Sequence, residues 1–144
     1  MVDIDRFKSV NDLYGHLIGD QVIQKMAQIL SEHLRPRDLL CRYGGEEFCL
    51  MLPETSLEVA CTIAERLRAA IETCSPTSAE GKKFSFTASF GVGSFEAEML
   101  EMEDLIRNAD RALYSSKQNG RNRVTFYLSS VAQDFQTSKS NPQA

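Results

Sequence analysis

Arg42-Tyr43-Gly44-Gly45-Glu46-Glu47-Phe48 is the stretch on which the reading of this 144-residue chain turns. An apolar run, Leu39-Leu40-Cys41, precedes it; a second, Phe48-Cys49-Leu50-Met51-Leu52, follows and is ended by Pro53. Two short apolar runs joined by adjacent glycines predict a β-hairpin, with glycine supplying the positive φ of a tight turn. The chemistry of the turn is less usual, because Glu46 and Glu47 place two carboxylates beside bare backbone. Glycines let a bulky, charged ligand come close to the chain, and a carboxylate beside them can hold a hard cation. The combination suits a nucleotide with its metal, although Gly-Gly-Glu-Glu in isolation also describes an ordinary exposed turn.

Composition narrows the field. With 42% hydrophobic and 25% charged residues, the chain is expected to form one globular domain with a real core. A formal net charge of −4 argues against a general nucleic-acid binder, which needs a basic field. A nucleotide site needs only a local cation or two and stays open. No apolar run reaches the ~20 residues that span a bilayer, and no signal-peptide pattern opens the chain, so no membrane contact and a cytoplasmic location are expected. Cys41, Cys49, Cys61 and Cys74 lack C-x-x-C spacing and are read as free thiols. Cys41 and Cys49 flank the turn symmetrically and are expected opposite each other, within reach of a cross-link under oxidising handling.

The remaining elements follow from periodicity. Val2 and Ile4 alternate with Asp3 and Asp5, as in the tail of a strand. A short helix is predicted from Arg6 to Tyr14, stopped by Gly15, and an amphipathic one from about Gly19 to Leu34, ended by Pro36. After the hairpin, Ser56 is a candidate N-cap for a helix to about Thr73. Phe84 to Val92 alternates as a half-buried strand. An acidic stretch from Glu96 begins a helix running to about Asn119, with Gly120 as its stop, and Val124 to Leu128 is a last strand. Residues 129–144 read as a polar tail. The order β-α-α-β-β-α-β-α-β, with an antiparallel hairpin, predicts an α+β, ferredoxin-like domain over residues 1–128, with a mostly antiparallel central sheet. If the first strand lies beside the hairpin, Asp3 and Glu46 converge at one sheet edge. Converging carboxylates without a basic partner imply a cation between them.

Several pieces in register carry a family resemblance: Asp3-Ile4-Asp5-Arg6-Phe7-Lys8, Asn11-Asp12, Gly15-His16, Gly19-Asp20, the hairpin, Ser89-Phe90-Gly91-Val92, Ala109-Asp110-Arg111-Ala112-Leu113-Tyr114 and Lys117-Gln118-Asn119-Gly120-Arg121-Asn122. In order and spacing they resemble the GGDEF domain of diguanylate cyclases, in the variant whose signature is Gly-Gly-Glu-Glu-Phe. The resemblance implies the nucleotide-cyclase palm form of the fold. It implies condensation of two GTP into cyclic di-GMP with release of two pyrophosphates, each protomer of a homodimer presenting one GTP. It further implies that Asp3, the Ile4 carbonyl and Glu46 hold Mg²⁺ or Mn²⁺, two ions per site, and that Glu46, Glu47 and Lys8 serve catalysis. Gly44 and Gly45 would admit the phosphates, Lys8, Lys117 and Arg121 would contact them, Asn11 and Asp20 would read the guanine edge, and His16 would lie beside the substrate.

Arg35-Pro36-Arg37-Asp38 matches the family's R-x-x-D product-inhibition motif, with Arg66 as a further arginine on the next helix. The family pattern also has a helix and a fuller first strand before Asp3, mostly missing here, and an upstream sensor domain as partner. Two other readings are carried: a non-catalytic module that binds GTP or cyclic di-GMP, and a palm-like polymerase or adenylate cyclase relative. The second would not predict Asn11 and Asp20 together with R-x-x-D.

Overall fold

The computed structural model describes residues 1–77, 81, 83–96 and 99–128; the expected polar tail, 129–144, lies outside them. The chain runs β1 (Val2–Ile4), α1 (Phe7–Tyr14), α2 (His16–Glu32), β2 (Leu39–Gly44), β3 (Glu47–Met51), α3 (Leu57–Thr73), β4 (Ala88–Val92), α4 (Met102–Gln118) and β5 (Val124–Phe126). The expected element order is found. The strands form one mixed sheet in the order β2-β3-β1-β4-β5. Its first four strands pair antiparallel, and β5 lies parallel to β4. That is the interleaved βαβ plan of a ferredoxin-like α+β fold, with a fifth strand added through α4.

Alternation on β1 divides the sheet into two faces. Val2 and Ile4, each 1% exposed, join Phe48, Ala88 and Phe90 in the larger core, which α2 closes with Val22, Met26 and Leu30 and α3 with Ala64, Leu67 and Ile71. Met1 falls on the other face, where it clusters with Ala109 and Leu113 of α4. Gly91 is what lets α4 sit there. A Cβ at that position would collide with the backbone nitrogen of Leu113 and the carbonyl oxygen of Ala109.

Three boundaries differ from expectation by three residues or more, while the ends of α2 and β5 fall two residues short of it. The strand expected from Phe84 begins at Ala88. Ala88 pairs with Ile4, the last residue of β1, so the preceding residues have no neighbouring strand to continue the ladder. Phe84 and Phe86 are nevertheless buried in the main core. The last helix starts at Met102 rather than in the acidic stretch before it. Phe95 and Leu100, in and beside that stretch, are exposed. The second helix instead starts earlier, at His16, and includes Gly19. Ser56 does cap α3, its Oγ accepting from the Val59 N–H at 3.3 Å. Cys41 and Cys49 are cross-strand partners, and all four thiols are free.

Between α2 and β2 the chain is clasped by its own charges. The Arg35 guanidinium donates through Nε and Nη2 to the Asp38 carboxylate, which also accepts the Arg35 backbone N–H at 2.9 Å. The Asp38 side chain is 1% exposed. These donors, the Arg35 side chain foremost, hold the Asp38 carboxyl below its usual pKa.

A native pKa held down stabilises the fold above the unfolded value, and that stability is lost as pH falls below about 4. Acid titration of unfolding free energy is therefore expected to show a shallower decline below that pH for Asp38→Asn than for the parent chain. Gly91→Ala should lower stability by about 3 kcal/mol or more in urea unfolding, because the collision is with backbone.

Candidate functional site

The C-terminal end of β1 carries Asp3 on the α4 face, opposite Glu47 of β3 and Ser89 of β4. Burial in mid-sheet raises the Asp3 pKa; the hydrogen bond and charge of Lys117 oppose the rise, and Glu46 and then Glu47 add to it. Lys117, in the last turn of α4, donates from Nζ to Asp3 Oδ2 at 2.8 Å. Asp3 thus lies opposite Glu47 and within the electrostatic reach of Glu46, and the cation paired with it is an ammonium. The Ile4 N–H donates to the Glu46 carbonyl at 3.3 Å, which ties the hairpin turn to the same strand end.

The turn itself corrects one expectation. Gly45 and Glu46 form a two-residue turn between Gly44 and Glu47, yet neither Gly44 nor Gly45 has a positive φ. The register shift between Arg42 and Gly44 leaves Tyr43 as an extra residue, and the bulge takes up the twist that a primed turn would otherwise provide. Arg42 braces the result, donating from Nε and Nη2 to the Gly45 carbonyl at 2.9 and 2.7 Å. A Cβ at Gly45 would meet nothing within 4 Å. Neither φ nor packing demands glycine at Gly45. What its absence of side chain leaves is open backbone beside two carboxylates.

Helices α1 and α2 carry the next group of expected site residues. Asn11 lies against Gly19, where any Cβ would strike the Asn11 amide. Its Oδ1 is buried and has no hydrogen-bond partner. An orphaned buried acceptor costs about 1–3 kcal/mol, which makes this atom a polar group the fold itself leaves unsatisfied. Asp20 follows Gly19 directly and is exposed, as are His16 at the start of α2 and Lys8 on α1.

The α4–β5 turn closes the opposite side. Gly120, Arg121 and Asn122 have φ of 112°, 65° and 45°, a run of left-handed backbone that two non-glycine residues adopt only under restraint. The restraint is Asp5. Its buried carboxylate accepts from Ser89 Oγ at 2.6 Å, Thr87 Oγ1 at 2.7 Å and the Asn122 N–H at 3.0 Å. The Asn122 amide is held from α3, accepting from Arg68 and donating to Glu72. Arg121, exposed, is therefore presented from a fixed turn. Asp5 stood in the sequence as one of two alternating acids; its use as a clasp rests on contacts with β4 and a turn 117 residues away.

Of the R-x-x-D residues, Arg35 and Asp38 pair with each other, and Arg66 donates to the His33 carbonyl at 2.9 Å. That bond brings Arg66 to the segment carrying Arg35. An apolar cavity of about 480 Å³ opens elsewhere, at the N-terminal end of β1 between α3 and α4, lined by Cys49, Met51, Leu57, Leu67, Ile106 and Ala109 among others. Its lining is unsuited to phosphate. Among the described residues no three His, Cys, Asp or Glu side chains gather as a ready ligand set. The two carboxylates and backbone carbonyl expected for a divalent ion are hard oxygen donors, and Lys117 is a stand-in cation on one of them, so the set fits such an ion. No helix among the described residues is long and apolar enough to cross a membrane.

Residues 1–123 match the family model described as "Diguanylate cyclase, GGDEF domain". The chain is 47% identical over 125 residues to Diguanylate cyclase A of Treponema denticola, covering 87% of this chain and 33% of that protein. It is 42% identical over 125 residues to the response regulator PleD of Caulobacter vibrioides, covering 86% and 28%. It spans about a third or less of the length of these relatives. Among solved structures it superposes with TM-score 0.83 on the GGDEF domain of DgcB from Caulobacter crescentus in complex with c-di-GMP, at 35% identity, covering 87% and 74% of the two chains. The active GGEEF domain of a diguanylate cyclase from Vibrio cholerae gives 0.82 at 34% identity, covering 90% and 81%. With the family model matched over residues 1–123, the chain belongs to the GGDEF-domain family of diguanylate cyclases.

Proposed function

We propose that this chain is the GTP-condensing module of a diguanylate cyclase, forming cyclic di-GMP and two pyrophosphates from two GTP. The observation that carries the reading is the pairing of Lys117 with Asp3 at the end of the central strand, with the Glu46 turn beside them. In this reading Asp3, the Ile4 carbonyl and Glu46 hold Mg²⁺ or Mn²⁺, two per site, which when bound offset the charge developing on the transferred phosphoryl group. The family's use of a divalent ion and the name of its relatives support this assignment.

The chain's own groups account for the remaining work. The bare backbone of Gly44 and Gly45 admits the triphosphate, and Lys8, Lys117 and Arg121 give it charge-assisted hydrogen bonds. The orphaned Asn11 Oδ1 and the Asp20 carboxylate accept from the N1–H and N2–H₂ of guanine. Adenine offers an acceptor at N1 and is refused. Glu46 draws the proton from the attacking 3′-hydroxyl in this reading, and Glu47 beside it belongs to the same catalytic turn. One site holds one GTP, so condensation requires a second protomer facing the first; a homodimer is part of the proposal. Arg35, Asp38 and Arg66 form the inhibitory site for cyclic di-GMP, and a sensor domain elsewhere in a longer protein would govern the encounter of protomers.

Incubation of the purified chain with GTP and Mg²⁺ should yield cyclic di-GMP by chromatography, ATP should yield nothing, and Glu46→Ala should abolish product. Binding of cyclic di-GMP without turnover would instead favour a non-catalytic module. Asn11→Ala should leave thermal stability unchanged or raise it by about 1 kcal/mol, since it removes an unpaired buried acceptor, while weakening GTP binding tenfold or more. Arg35→Ala should raise the inhibition constant for cyclic di-GMP; an unchanged constant would remove that site.

A further inference from the structure

Lys117 and the divalent ion of the proposed site would both draw on the Asp3 carboxylate. Lys117 Nζ lies 2.8 Å from Asp3 Oδ2. The Asp3 side chain is 11% exposed and that of Lys117 is 31% exposed, so the pair is half-sunk between the central strand and α4 rather than solvated. The ammonium is well kept there. It belongs to the last turn of α4, where the helix dipole favours a cation, and it faces Asp3 with Glu46 and Glu47 nearby. Among the described residues it is the cation that Asp3 pairs with. A buried carboxylate stripped of its partner is costly, so a metal ion arriving at Asp3 must first replace a partner that the protein itself provides.

We propose that Lys117 is a resident counter-ion of Asp3 that keeps divalent metal binding weak in the empty site and yields to metal when a triphosphate gives its ammonium another anion. The inference rests on the reading of Asp3 as a metal ligand. Its consequence is a positive coupling between metal and nucleotide. The flexible stem of lysine suits the exchange, because the ammonium can swing from carboxylate to phosphate while its Cα stays fixed on α4. Metal without nucleotide leaves the ammonium without an anion, and nucleotide without metal draws it off Asp3 and exposes that carboxylate among its like-charged neighbours. Each ligand therefore improves the site for the other, by linkage to the same extent.

The test is a Mn²⁺ titration of nucleotide-free protein, read by electron paramagnetic resonance of the free ion, with GTP-analogue binding in chelator measured beside it. Lys117→Met should bind Mn²⁺ about tenfold more tightly than the parent chain, a size usual for coupled sites, and the analogue more weakly. A merely structural lysine would weaken both. Lys117→Arg, which keeps the charge, should restore the parent's Mn²⁺ affinity. Arg121→Met, which removes a nearby cation that is not paired with Asp3, should change that affinity less than twofold. Unchanged or weaker Mn²⁺ binding in Lys117→Met, while Asp3→Asn abolishes it, would overturn the counter-ion role and leave the metal ligand standing. Unchanged Mn²⁺ binding in Asp3→Asn would overturn both.

Discussion

Three residues, Val2–Ile4, hold the centre of the sheet, with β3 on one side and β4 on the other. That position is a constraint as much as a support. Alternation sends Val2 and Ile4 into the apolar core between α2 and α3, so Asp3 must turn to the face covered by α4, and Asp5 follows it just past the strand. A strand so short cannot be shifted by one residue without exchanging two core aliphatics for two acids. The register that buries Ile4 is the same register that puts a carboxylate opposite Glu47 and beside the hairpin turn.

Placing two acids in mid-sheet has consequences for everything around them. Asp3 and Asp5 are each 7% exposed, and a buried carboxylate left without partners costs several kcal/mol. The fold answers the two differently. Asp5 is satisfied by neutral donors, two hydroxyls and a backbone N–H, and becomes a fixed clasp for the left-handed α4–β5 turn. Asp3 is satisfied by a cation on a long side chain, Lys117. One acid fixes a turn with neutral donors while its neighbour carries an ion pair.

The sequence was most legible where a period or a hard stop acts locally. Ser56 as a cap, Pro36 and Pro53 as ends and the Cys41–Cys49 register follow from nearest neighbours, and all are found. The strand expected from Phe84 was misjudged because alternation reports burial, whereas a ladder needs a partner, and β1 stops at Ile4. The hairpin glycines were read as a backbone necessity; the bulge at Tyr43 and the Arg42 brace show that backbone geometry is met without them. Asp5 and Asn122 were illegible as a pair, since nothing short-range links positions 117 residues apart. Asn11 gives the opposite lesson. Its resemblance-based role coincides with a buried, unpartnered oxygen that only the packing against Gly19 reveals.

The central claim is that the end of β1 and the hairpin turn form one cation and nucleotide site. The most direct measurement is paramagnetic broadening of backbone amide resonances by Mn²⁺ in the presence of a non-hydrolysable GTP analogue. The amides of Asp3, Ile4 and Asp5 and those of Gly45, Glu46 and Glu47 should vanish together at low Mn²⁺, with Lys117 among them. Broadening centred instead on the exposed acidic start of α4, at Glu101, Glu103 and Asp104, with the β1 amides intact, would contradict that claim.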